Sequence, residues 1–401
     1  MFRANHGVLD TTKSTMKKTL FYLIFLFSSL NARAQVNNNL VEIKKDSIQS
    51  KVLNEEREYW VSLPLDYDTN VMYPVIYVLD AEWKFNITNA LEKDLSGNGK
   101  IPPHIVIGIT HPNRRLDMTF STTKVNSFGG VDTIMWNANN TGNGLKFFTF
   151  IEDELMKEVN QRYSTSGFNI LIGHSLGGYF CSYLLPIQKS FKSLQIYDPA
   201  IWYNEGEAIN QINSNLSQDT SCIIYIASSG KFDDKVSIHH KKIEELVDSL
   251  NRFPNIHSTY KCYENEHHNS MYLFSFLDGM SMLYEGYEMK IFGRDAIIDV
   301  SLLEKHFKVF SKTIQFEFTP QNRFYREVGE INFYQKKYQN CIDALEIYLE
   351  KNPTNTYALE LIGDAYTIIG NKKQGLVSYK KAYELSPDNL RLKGKIERRL
   401  K

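Results

Sequence analysis

The stretch Asn169–Gly178, NILIGHSLGG, decides how the chain is to be read. Ile170, Leu171 and Ile172 are apolar in succession, as in a strand covered on both faces. A helical pattern starts at Leu176. Between them stands Gly-x-Ser-x-Gly, a string expected by chance only about 0.1 times at ordinary serine usage in a chain of this length and glycine content. In the strand-to-helix setting it forms a sharp turn that lifts its serine, here Ser175, clear of a sheet. Gly173 and Gly177 are expected where that turn brings backbone segments too close for a Cβ. The following helix aims free N–H groups at the serine and favours negative charge there.

On either side of this stretch, strands are expected at Arg57–Leu63, Tyr73–Leu79, His104–Ile109, Ser193–Tyr197, Ser221–Ala227 and Ile256–Tyr263. Helical windows cover Gly144–Tyr163, Leu176–Gln188, Ser237–Asn251 and Met271–Glu288. The class is therefore α/β with a mostly parallel central sheet. A polar loop, Gly129–Asn143, is long enough to shape a pocket.

A serine hydroxyl attacks only when a base takes its proton, and the base needs a third group to fix its tautomer. In such folds the partners follow in the order serine, acid, histidine, each on a loop after a strand. Asp233 and Asp234 follow the strand Ser221–Ala227, and His267 and His268 follow Ile256–Tyr263. All four are placed at the carboxyl ends of strands, where an open α/β sheet builds its sites. The residues alone leave both pairs open. Glu264 and Glu266 suit a charged surface.

The C-terminal eighty residues repeat themselves at a period of 34. Gly329 matches Gly363, Leu345 matches Tyr379 and Pro353 matches Pro387. The second copy resembles a tetratricopeptide helix pair, and the first departs from that pattern at Asn332 and Tyr348. Two copies alone bury little surface, so they are expected to pack on the neighbouring domain, on the basic last helix, or on a protein partner.

The chain has 401 residues with 46 basic and 46 acidic side chains, so no net field draws in nucleic acid. Cysteines at 181, 222, 262 and 341 have neither zinc-site nor disulfide-framework spacing. His239-His240 and His267-His268 lack the spacing to chelate an ion. Leu20–Leu30 is too short to span a membrane, and with Lys17-Lys18 before it and Ala32-Arg33-Ala34 after it reads as an export signal. Met16 is the expected start, with cleavage after Ala34. The expected organisation is a signal region 1–34, a hydrolase domain 35–290, a linker 291–321, two tetratricopeptide-like repeats 322–389 and a terminal helix 390–401. The mature chain is expected to be periplasmic or secreted, with no stable membrane insertion.

Several segments besides the serine turn are similar to the putative esterase family of α/β-hydrolases, over about residues 40–290. They are Tyr73–Trp83 (YPVIYVLDAEW), Val106–Ile109 with Arg115–Thr119, the helix Phe147–Tyr163, and Asp198-Pro199-Ala200-Ile201-Trp202, which resembles that family's S-P-S-x-W turn. The resemblance implies an α/β-hydrolase fold, Ser175 as nucleophile, Asp233 as acid from its G-x-x-D turn, and His268 as base from its H-x-S-x string. It further implies an oxyanion hole of the Leu176 and Glu82 backbone N–H groups, with Ala81 standing where the family has glycine. The expected function is an exported serine carboxylic-ester hydrolase working through an acyl-enzyme on a small-molecule or carbohydrate-linked ester, with no metal or organic cofactor. The alternative is a catalytically silent hydrolase scaffold whose repeats bind a protein partner.

Overall fold

The computed structural model describes residues 43–122, 137, 139–230, 238–289 and 298–400. The expected export signal, most of the 129–143 loop, and both Asp233 and Asp234 lie outside the described residues.

Among the described residues, eight strands form one sheet: β1 Lys44–Ser50, β2 Glu55–Ser62, β3 Tyr73–Leu79, β4 Ile105–Ile109, β5 Thr165–His174, β6 Ser193–Tyr197, β7 Cys222–Ser229 and β8 Ile256–Tyr263, in the order β1-β2-β4-β3-β5-β6-β7-β8. From β4 through β8 neighbours are parallel, as expected; β2 pairs antiparallel with both β1 and β4. β1 is not among the expected strands, since KKDSIQS has no apolar alternation, and its largely exposed side chains are those of a sheet edge.

Side-chain alternation along β3 divides the core in two. Val75, Tyr77 and Leu79 face a cluster with α3 (Gly144–Phe150), α4 (Met156–Arg162), α5 (Leu176–Leu184), α6 (Glu207–Asn215) and α7 (Ile238–Leu250). Ile76 and Val78 face the opposite cluster, which holds Phe85 of α1 (Ala81–Gly97) and Phe276 of α8 (Met271–Leu283). A short helix, α2 (Arg114–Met118), follows β4. The four cysteines are free thiols.

The stretch expected as a linker contains a helix, α9 (Val300–Ile314). Its buried residues Leu303, Phe307, Phe310 and Ile314 repeat at helical spacing. They belong to the same cluster as Ile76 and Val78, and so do Phe324 and Val328 of α10 (Asn322–Tyr334) and Ala344 of α11 (Tyr338–Lys351). The C-terminal helices thus share a core with the sheet. Arg323 adds a polar tie, donating to the carbonyls of Ser96 and Gly97 at the end of α1. Helices α12 (Thr356–Ile368), α13 (Lys372–Leu385) and α14 (Leu390–Leu400) follow, and Leu392 packs with Leu359, Tyr379 and Ala382.

Equivalent glycines set both helix crossings. A Cβ on Gly329 would lie 2.6 Å from Leu345, and one on Gly363 would lie 2.8 Å from Tyr379. The two odd residues of the first copy also have local reasons. Asn332 is fully buried and donates to the carbonyls of Ile298 and Val328. The Tyr348 hydroxyl accepts from Asn355 at 2.9 Å.

Phe307 is 1% exposed, with its ring 5.4 Å from those of both Tyr287 and Phe324. Phe307→Ala should cost about 3–5 kcal/mol in urea unfolding. Because the core is shared, the loss should appear in one cooperative transition; an early melt confined to helical signal would show that the C-terminal helices are a separate unit.

Candidate active site

The site forms where β3, β5, β6 and β8 end. β5 delivers Ser175 in a backbone conformation that non-glycine residues rarely adopt, φ 61° and ψ −117°. Three backbone hydrogen bonds brace it. The Ser175 N–H donates to Tyr197 O at 2.9 Å, and the Ser175 carbonyl accepts from Tyr179 N at 3.0 Å and Ala200 N at 2.9 Å. Two of these partners flank the turn after β6.

The glycines divide the steric demand differently from expectation. A Cβ on Gly173 would lie 2.2 Å from the Gly177 carbonyl oxygen, which forbids any side chain. On Gly177 the nearest neighbour would be 3.4 Å away, an ordinary contact. On Gly178 it would lie 2.9 Å from Pro199, so the second close approach falls one residue beyond the motif.

His268, on the loop after β8, places Nδ1 2.6 Å from Oδ2 of Asp198. This carboxylate is 1% exposed and follows β6, one strand before the position the family resemblance implied. Its Oδ1 accepts from Ser229 N at 2.9 Å and pairs with His239 Nε2 at 3.1 Å, while Oδ2 also accepts from Ser229 Oγ at 2.9 Å. Burial alone would raise the carboxyl pKa, but the hydrogen bonds from His239 and His268 and the Ser229 amide hold it well below the usual carboxylate range. Asp198 is not among the sequence candidates, because it lies in the string 198–202 that reads as a turn. The available signal was an aspartate where the similar family turn has serine.

Ser175 and His268 line one cavity of about 200 Å³ with Asp80, Trp83, Lys84, Arg114, His174 and Asn269. An adjoining cavity of about 310 Å³ shares Trp83 and Arg114 and adds Arg115. Asp80 adopts φ 59° and leads into α1, so the left-handed residue of that turn precedes Ala81, and alanine is compatible there. Arg114 fixes the turn by a forked contact to Asp80 at 2.5 and 2.8 Å, and donates to the His174 carbonyl at 3.1 Å. Behind it, Asp117 is clamped by Arg57 at 2.7 and 2.8 Å, which anchors α2.

The remaining sequence candidates occupy supporting positions. Leu176 begins α5, and Glu82 lies in the first turn of α1, its side chain accepting from His111 N. His267 is exposed and receives the Asn269 and Ser270 amides. Gly230 packs against the Glu264 backbone, and its N–H donates to Glu266 O. Among the described residues no cluster of His, Cys, Asp or Glu could hold a metal ion, and no helix is long and apolar enough to cross a membrane.

The family model described as Putative esterase matches residues 50–273, more than half of the chain. The chain belongs to the putative esterase family. Its class as an esterase-type hydrolase follows from that membership. The esterase is similar in fold to an IroE-like serine hydrolase from Shewanella oneidensis, at 22% identity and a TM-score of 0.66 over 77% of this chain and 99% of that one. It is also similar to an uncharacterised protein from Capnocytophaga ochracea, at 16% identity and 0.57 over 90% and 99%. A third is the siderophore hydrolase EstB from Aspergillus nidulans, at 17% and 0.50 over 60% and 94%. No curated protein matches.

Two predictions concern this architecture. Gly173→Ala should abolish stable folding, whereas Gly177→Ala should be tolerated, as measured by chemical denaturation. Equal damage from both would refute the steric division. The second concerns His174, whose pKa burial, with help from His268 and Lys84, pushes down to about 3. The unfolded chain binds that proton near pH 6.5 and the folded chain does not, so stability is full above 6.5 and falls with acidification towards 3. His174→Gln should reduce the pH slope of the unfolding free energy in that window by about 1.4 kcal/mol per pH unit.

Proposed function

We propose that the chain is a serine carboxylic-ester hydrolase in which Ser175 is the nucleophile, His268 the general base and Asp198, rather than Asp233, the orienting acid. The observation that carries this reading is the 2.6 Å contact between His268 Nδ1 and Asp198, with Ser175 on the same cavity. A proton on Nδ1 shared with a carboxylate leaves Nε2 free to accept one from Ser175. As Oγ adds to the ester carbonyl, Nε2 takes the hydroxyl proton, then gives it to the departing alcohol as the tetrahedral intermediate collapses. Water enters by the same route, its proton passing through Nε2, and releases the acid from the acyl-enzyme.

The negative oxygen of each tetrahedral intermediate requires donors fixed in advance. The Leu176 and Glu82 N–H groups suit this role, since each lies in the first turn of a helix, where backbone donors lack intrahelical acceptors. Arg114 supports both turns by joining Asp80 to the His174 carbonyl.

For the substrate, a small-molecule ester fits cavities of this size. With Arg114 paired to Asp80 on the same lining, Lys84 beside a Trp83 that is 68% exposed favours an aromatic ester carrying negative charge. Siderophore esters are the first natural class to test, since the Aspergillus nidulans neighbour is a siderophore hydrolase. The 34-residue periodicity and the paired glycine crossings support tetratricopeptide-like repeats, here serving to cover one face of the hydrolase core. The short apolar run Leu20–Leu30 supports export to the periplasm or beyond.

Ser175→Ala should abolish 4-nitrophenyl acetate hydrolysis. Asp198→Asn should lower kcat by about 10³–10⁴, by analogy with loss of an orienting carboxylate in serine hydrolases, whereas Asp233→Asn and Asp234→Asn should each change it less than about threefold. The opposite ranking would return the acid to the loop after β7.

A further inference from the structure

The turn that holds Asp198 is built by more than the proposed triad. α7 begins beside it and presents two successive histidines, whose side chains reach different acceptors. His239 Nε2 lies 3.1 Å from Asp198 Oδ1, and His240 Nε2 lies 3.1 Å from the Ser229 carbonyl. Ser229 is itself the residue whose N–H and hydroxyl bind Asp198. The pair that offered no chelating geometry as a metal site therefore converges on one carboxylate, directly through His239 and through Ser229 for His240.

A carboxylate turns easily about its last bond, and a base is aligned only if the oxygen it faces stays in place. Here each oxygen of Asp198 has two contacts. Oδ1 meets the Ser229 amide and His239; Oδ2 meets the Ser229 hydroxyl and His268. The Ser229 contacts straddle both oxygens. The two imidazoles lie on opposite oxygens, so loss of His239 leaves Oδ1 with the Ser229 amide alone and weakens the restraint opposite His268.

We propose that His239 is a positioning residue for ester hydrolysis, donating its Nε2–H to Asp198 Oδ1 and thereby holding Oδ2 against Nδ1 of His268. This rests on the assignment of Asp198 as the orienting acid. His239 touches neither substrate nor Ser175 in this scheme. Its effect should reach the reaction as a loss of turnover with little change in substrate binding, because Asp198 orients the base and does not contact the ester.

The test uses two substitutions in the full chain. His239→Phe keeps a ring that packs against His240 but has no N–H, and His239→Gln restores an amide donor near the position of Nε2. His239→Phe should lower kcat for 4-nitrophenyl acetate by about tenfold or more with KM within about twofold, while His239→Gln should recover most of that loss. In proton NMR, the downfield resonance of the His268 Nδ1–H, identified by its loss in His268→Gln, should move upfield or broaden in His239→Phe and persist in His239→Gln.

Wild-type turnover and an unshifted resonance in His239→Phe would overturn the inference. Equal impairment of both variants would overturn it too, since a helix anchor with no donor role predicts that pattern. Failure of the esterase reading is recognised separately, by absence of wild-type turnover or by full activity in Ser175→Ala. In that event the resonance of His268 in the two variants still decides whether His239 holds the carboxylate.

Discussion

The backbone seam between the Ser175 turn and the end of β6 is the constraint on which the site depends. A serine at φ 61° and ψ −117° costs of order 1–3 kcal/mol and persists only where its surroundings hold it. The holding groups are Tyr197 O and Ala200 N, which flank Asp198-Pro199. Gly178 closes against Pro199 from the other side, with no room for a Cβ. The strained serine and the buried carboxylate therefore sit on one hydrogen-bonded brace. Asp198 is strained as well, at φ 43°, with its N–H bound to Ala227 O at 2.7 Å.

Much of this is legible in the sequence. The Gly-x-Ser-x-Gly string located Ser175 because the turn's steric demand leaves a residue-level mark. His268 was legible as one of two candidates because strand order restricts where a base can arrive, and the structure separates it from His267 by what each ring touches. Asp198 was not legible, because an acid can reach the same imidazole from either of two neighbouring strand ends, and sequence order permits both. Composition could not break that tie. Only the aspartate at the first position of a turn that keeps the family's proline and tryptophan carries the information.

The errors in the fold reading have similarly local causes. β1 has no apolar face to reveal it, since an edge strand obtains its stability from backbone pairing with β2. α9 does have a readable stripe in Leu303, Phe307, Phe310 and Ile314, yet the more conspicuous patterns on either side make it read as a connection. Asn332 follows from α9's neighbourhood. It departs from the repeat pattern because its amide must satisfy the Ile298 carbonyl just ahead of that helix, a demand absent from a free-standing repeat.

Placing the acid after β6 also alters what the end of β7 must provide. With the carboxylate on the loop after β7, that loop would have to hold a charged side chain in register with His268. Here β7 contributes its last residue, Ser229, whose N–H and hydroxyl both point at Asp198 while its carbonyl accepts from His240 and Cys262. Strand pairing fixes Ser229 directly, through its register with Tyr263 of β8. The carboxylate is thus oriented by a residue inside the sheet and by a helix packed on it. A buried charge needs such enclosure: each lone pair left unmatched would cost desolvation energy, and four donors around one carboxylate keep it ionised where burial would otherwise favour the neutral acid. In the proposed mechanism the negative charge that stabilises a protonated His268 is therefore maintained by rigid elements, and Asp233 and Asp234 have no such duty.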